Sequence, residues 1–221
     1  MNIYIVSIFP EIFQGFLTGS LVWKAQEKEL INIEIVNPRD FSKSKHKQVD
    51  DKVYGWWQGM LLMFQPIVEA IEYIIYNKIK WDDYNIIFLA PGKKELNQTI
   101  AKTYSKYKNI ILLCGRYEGI DSRIEQYFFN KIEKLSIWKY VLMWGEIASM
   151  VFIEVVWRLL PGVIKEEDSV YYDSYTKEDD LGFLEHPQYT RPEEIKWLEV
   201  PKVLLSGHHK NIENWKNVNS K

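Results

Sequence analysis

Residues Ile110–Arg123 read IILLCGRYEGIDSR, and the fold class follows from them. Four apolar residues and Cys114 run without a polar interruption, the pattern of a strand buried on both faces. A tight turn with Gly115, Arg116, Glu118 and Gly119 follows, opening a helical stretch. Glycines let a backbone approach a ligand closely. Charge at the C-terminal mouth of a strand is where α/β proteins place cofactor sites. Taken alone, these residues fit a purely structural βα turn as well as a binding loop.

The neighbouring segments extend the pattern. Ile3–Phe9, Ile31–Val36, Asn85–Leu89 and Tyr140–Leu142 read as strands. Helical period runs over Gln65–Ile79, Leu96–Tyr107, Glu118–Phe129 and Glu146–Leu160, and Pro10 suits the first turn of a further helix. Strands alternating with helices predict an α/β fold with a mostly parallel sheet. Past Pro161-Gly162 the character changes. Lys165–Asp180 is acidic, tyrosine-rich and without period, as linkers are. HPQYTRP, VPKVLLSG and a terminal helix over His208–Lys216 follow.

The chain has 221 residues, 47% of them apolar, enough for one large domain and a small appendage. A net charge of −2 does not advertise a nucleic-acid binder, although a local patch suffices for one. The single cysteine, Cys114, excludes an internal disulfide, fits a reducing cytosol and reads as a small core residue. One cysteine and scattered histidines cannot supply a zinc ligand set. The N-terminus lacks the marks of a signal peptide and no apolar run approaches a membrane span, so a cytoplasmic location is expected.

Ordered anchors then carry a resemblance. SIFPEIF, NPRDF, VDDKVYG, LLCGRYEGID, RLLPGV, DSY, HPQYTRP and VPKVLLSGHH, in this order, resemble the bacterial tRNA (guanine-N1)-methyltransferases of the TrmD type, within the knotted SPOUT superfamily. The resemblance implies a parallel sheet with a deep trefoil knot and a small, mostly helical C-terminal domain. By residue it implies a knotted catalytic domain over 1–162, a flexible linker over 163–184 and a shortened tRNA-binding domain over 185–221. The implied activity is S-adenosylmethionine-dependent methylation of N1 of guanosine 37, just 3′ of the anticodon. The implied partners are tRNA and a second copy of the chain, with the active site at the subunit interface, and neither DNA nor membrane.

Three loops would hold S-adenosylmethionine, through Leu89, Ala90 and Pro91, through Gly115, Tyr117, Glu118 and Gly119, and through Ile137, Trp138, Lys139, Tyr140, Val141 and Leu142. Removing the N1 proton calls for a base, and charge building at O6 calls for a cation. The likeness gives these roles to Asp173 and Arg158. Read without it, Asp173 is a solvated linker acid and Arg158 a helix C-terminal cation. Glu118 matches a glutamate at the methionine end of the cofactor, where the likeness also implies Mg²⁺. Substrate contacts would come from Arg39, His46 and Tyr54 in and after the basic loop, from Ser169, and from Tyr189, Arg191, Ser206 and His208. Ser206 suits a phosphate site or a plain N-cap equally. Tyr189 suits base stacking or core packing equally.

The chain departs from the TrmD pattern at tryptophans. Trp23, Trp56, Trp57, Trp138, Trp144 and Trp197 stand where the family has glycine, while Trp215 matches an aromatic position. Tryptophan at a cofactor loop removes space for close approach. UGA codons that the source organism reads as glycine account for such a pattern. Lys93, Lys139 and Met143 also depart from the pattern and have no such account. Alternatives to the methyltransferase reading are a SPOUT enzyme with another RNA target and a catalytically impaired RNA-binding relative whose tryptophans plug the cofactor pocket.

Overall fold

The computed structural model describes residues 1–55, 58–81, 83–164, 174–175 and 182–220. They fall into two compact units, Met1–Ile164 and Lys165–Lys221. Most of the linker expected over 163–184, with Ser169 and Asp173, lies outside the described residues, as do Trp56 and Trp57.

In the first unit, β1 (Asn2–Val6) leads through a 3-10 turn at Pro10–Phe13 into α1 (Gln14–Leu17) and α2 (Ser20–Glu27). β2 (Asn32–Val36) is followed by a second 3-10 turn at Pro38–Phe41 and by an antiparallel pair, β3 (Asp50–Lys52) and β4 (Met60–Leu62). α3 (Phe64–Tyr73) continues as a π-helical stretch, Ile74–Ile79. Then come β5 (Tyr84–Leu89), α4 (Gln98–Tyr104), β6 (Asn109–Cys114), α5 (Arg123–Tyr127), β7 (Ile132–Leu135) and α6 (Gly145–Trp157). Five strands form one parallel sheet in the order β2-β1-β6-β5-β7.

β6 is central and buried along its whole length, as its apolar run predicts. Alternate residues feed two cores. Tyr4, Val6, Phe88, Ile111 and Leu113 pack with Ile71 of α3 and Ile124 of α5. Ile3, Ile5, Ile110, Leu112 and Cys114 pack on the other face with Val22 of α2, Ala101 of α4 and Phe152 and Val156 of α6. The result is a helix–sheet–helix sandwich whose strands all end on one side, where the loops of interest lie.

Two expectations are corrected. Tyr140–Leu142 forms no strand and lies in the irregular segment before α6, and the fifth strand is β7. β7 escapes a hydrophobicity reading because Glu133 and Lys134 interrupt an edge strand that is only partly buried. The helix after Gly119 begins at Arg123, because residues 118–121 are held by a strand-like exchange with β4. Glu118 N–H donates to Met60 O (3.0 Å), Leu62 N–H to Gly119 O (3.1 Å) and Asp121 N–H to Leu62 O (3.0 Å).

The second unit contains a two-stranded hairpin, β8 (Glu194–Ile195) with β9 (Leu198–Glu199), and two helices, α7 (Lys202–Leu205) and α8 (His209–Asn219). His208, not Ser206, occupies the N-cap of α8. Ser206 Oγ accepts from His208 N–H (3.3 Å) just before that helix and donates to Val203 O (2.7 Å) at the end of α7. No helix among the described residues is long and apolar enough to cross a membrane.

Candidate active site

A cavity of about 450 Å³ opens at the C-terminal ends of β5, β6 and β7. Its volume falls within the range of pockets that hold cofactor-sized molecules. Three loops make its walls: the one after Leu89, the one from Gly115 to Ile120, and the one from Ser136 to Gly145. Phe88, Leu89, Leu135 and Ala148 supply apolar lining.

Glycine makes the convergence possible. Gly145 opens α6 directly against the middle loop, with its N–H donating to Gly115 O at 3.1 Å. A Cβ on Gly145 would lie 2.5 Å from Gly115 N and 2.8 Å from Gly115 O, both backbone atoms. Gly59 has φ +108° and lies under the Glu118 side chain, where a Cβ would sit 2.7 Å from Glu118 Cγ. The middle loop thus rests on Gly59 below and Gly145 behind, and within it Tyr117 adopts φ 56° and Gly119 φ 120°.

Charge at the cavity is largely paired. Glu118 and Glu125 are the carboxylates on its wall, and Lys134 Nζ lies 2.9 Å from Glu125 Oε1. Among the described residues no three His, Cys, Asp or Glu side chains are grouped to hold a metal ion. Mg²⁺ keeps several waters and takes one or two carboxylates, and Glu118 is the carboxylate on this wall that the likeness assigns to it. Below the cavity, burial first and then the Glu146 charge push the Cys114 thiol up, so it stays protonated. That fits a core residue and not a nucleophile.

Similarity to known proteins follows this geometry. The family model described as tRNA (Guanine-1)-methyltransferase TrmD matches residues 1–221. A tRNA (guanine-N(1)-)-methyltransferase from Carboxydothermus hydrogenoformans is 44% identical over 216 residues, covering 98% of this chain and 81% of the relative. The enzyme of that name from Borrelia duttonii is 42% identical over 220 residues, 100% of this chain and 88% of its own. The crystal structure of tRNA (m1G37) methyltransferase from Aquifex aeolicus superposes with a TM-score of 0.78 at 34% identity, covering 98% of this chain and 87% of that one. The chain belongs to the TrmD family.

Within this TrmD chain, every residue predicted to touch the cofactor lines the cavity except Lys139. Lys139 points elsewhere, with Nζ 3.7 Å from Glu95 Oε1. Trp138 and Trp144 both line the cavity, which keeps its volume with the two side chains in place. Neither has left-handed backbone, so the cost of tryptophan there is one of space, not of backbone conformation. Arg158 is the C-cap residue of α6. Arg39 donates through Nη1 to Lys47 O (3.3 Å) within the basic loop, where His46 is exposed, and Tyr54 is almost wholly exposed. Tyr189, Arg191, Ser206 and His208 belong to the second unit. There the Tyr189 ring is half exposed and lies 6.2 Å from Trp215.

Sequence reasoning missed Gly59, Phe88, Leu135, Gly145 and Ala148. Gly145-Glu146 at the start of an apolar helix was the available signal for one of them, since glycine opening a long helix invites a close-approach explanation.

Proposed function

We propose that this TrmD-family chain methylates N1 of guanosine 37 in tRNA, using S-adenosylmethionine. The observation that carries the reading is the meeting of three loops, after β5, after β6 and before α6, on one cavity of cofactor size. The glycine floor seats the ligand against the backbone, and the apolar lining excludes water beside the transferred group. S-adenosylmethionine, when bound, supplies an electrophilic methyl group on a sulfonium. Asp173 takes the N1 proton of guanine, and Arg158 at the end of α6 offsets the charge that builds at O6. Glu118, on the middle loop, faces the methionine end of the cofactor.

The same proposal includes the trefoil knot, a cytoplasmic location, and a homodimer with tRNA bound across two subunits. Val141, Leu142, Met143, Ile147 and Val151 are exposed, an apolar face of the kind subunit interfaces bury. Calorimetry of the full chain with S-adenosylmethionine tests the cofactor assignment. Saturable binding at a one-to-one ratio per chain is expected. An absence of binding favours the impaired relative with a plugged pocket.

The tryptophans belong to this reading as well. Trp157 is buried, with Nε1 donating to Glu154 Oε2 (3.0 Å), and Trp215 meets the His186 ring edge-on and the Tyr189 ring at a tilt; both behave as tryptophans. Trp197 does not: its indole is 81% exposed in the two-residue loop of the β8–β9 hairpin, beside Lys196, the residue of that loop with left-handed backbone (φ 57°). Trp81 stands at φ 64°, a left-handed conformation that favours glycine, and is also exposed. UGA read as glycine accounts for both. Mass spectrometry of the protein from its own cells is expected to show glycine at 81, 138, 144 and 197. Tryptophan-containing peptides there would remove the recoding account.

A further inference from the structure

We propose that Glu146 is a positioning residue for cofactor binding, acting through Arg116; the proposal rests on the cavity being the S-adenosylmethionine site. Glu146 is in the first turn of α6 and is wholly buried. A buried carboxylate is costly unless it is paired and its lone pairs are satisfied. Here both oxygens are used. Ser7 Oγ donates to Oε1 at 2.7 Å, and Arg116 Nε donates to Oε2 at 3.1 Å. Ser7 Oγ in turn accepts from Phe9 N–H at 3.1 Å. The N-terminal end of a 13-residue helix adds favourable field for the negative charge.

The consequence lies at the cavity. Arg116 is part of the middle loop and of the cavity wall, and its side chain is only 11% exposed. Its guanidinium is stacked between the rings of Phe9 (4.5 Å) and Trp144 (4.6 Å). Glu146 holds the Nε side of that plane, which sets the orientation of the rest. One carboxylate thereby ties the end of β1, the loop after β6 and the start of α6. These are the segments that must stay registered for the middle and third loops to face each other. A leucine at this position would fill the space without the desolvation cost, so the charge has a use beyond packing. The Ser7 and Arg116 Nε bonds involve no tryptophan, and the proposal stands whichever residue occupies 144.

Glu146→Gln keeps the size and the Ser7 contact but leaves the guanidinium without its counter-charge. Calorimetry should show the Kd for S-adenosylmethionine raised about tenfold, the scale of one charge-assisted hydrogen bond. The KM for the cofactor should rise in parallel, with kcat at saturation within about twofold of wild type. Arg116→Lys keeps the charge but not the fork, and should raise Kd equally. In the double variant the two effects should not add, since they break one interaction. Wild-type Kd in both single variants, with only the melting temperature lowered, would show a purely structural role and overturn the proposal. If Glu146→Gln fails to fold, Arg116→Lys decides alone. Loss of binding in the wild type would instead count against the cofactor assignment itself.

Discussion

Gly145→Ala should weaken S-adenosylmethionine binding by about tenfold to a hundredfold. The new Cβ would meet Gly115 N at 2.5 Å, Gly115 O at 2.8 Å and the Cys114 carbonyl carbon at 3.0 Å. These are backbone atoms of the central strand and its turn, so no side chain can swing away. Relief requires the start of α6 to move off the middle loop, breaking the 3.1 Å bond from Gly145 N–H to Gly115 O. Overpacking of this kind costs about 1–3 kcal/mol, which sets the fold-change stated. Gly15→Ala is the control, since nothing lies within 4 Å of a Cβ there. Calorimetry on the two variants checks both halves. Equal Kd for Gly145→Ala and wild type would mean that this contact does not shape the pocket.

Asp173→Asn should lower kcat for methyl transfer to tRNA by about 10²–10⁴-fold, the usual contribution of a general base. The amide cannot accept the N1 proton but nearly preserves size and hydrogen bonding. S-adenosylmethionine binding should stay within about twofold, because the likeness gives Asp173 no part in the three cofactor loops. Single-turnover rates with saturating tRNA separate the chemical step from binding. Equal rates for variant and wild type would remove Asp173 as the base.

What the sequence made legible was local. β6 and its glycine turn could be read because five consecutive buried residues need no partner to identify them. The α/β alternation followed from period alone. β7 could not be read, because an edge strand with Glu133 and Lys134 looks like a solvated turn until β5 is placed beside it. The helix expected from Glu118 starts at Arg123 for a reason found over fifty residues away, the backbone bonds from β4. The site divides the same way. Gly115 and Gly119 announced themselves by type and spacing. Gly59, Gly145 and the Glu146–Arg116 pair matter only because separate loops meet, and no local pattern records that meeting. The roles of Asp173 and Arg158 came from family likeness, since as residue types they read as a solvated acid and a helix-end cation.

The chemistry at one base decides the assignment. The most direct measurement uses the full-length chain, labelled S-adenosylmethionine, and tRNA transcripts with either guanosine or adenosine just 3′ of the anticodon. The product is digested and its methylated nucleoside identified. One methyl group per tRNA, recovered as 1-methylguanosine and only from the guanosine transcript, is the predicted result. Label at another position, on another nucleoside, or in both transcripts alike would contradict the account.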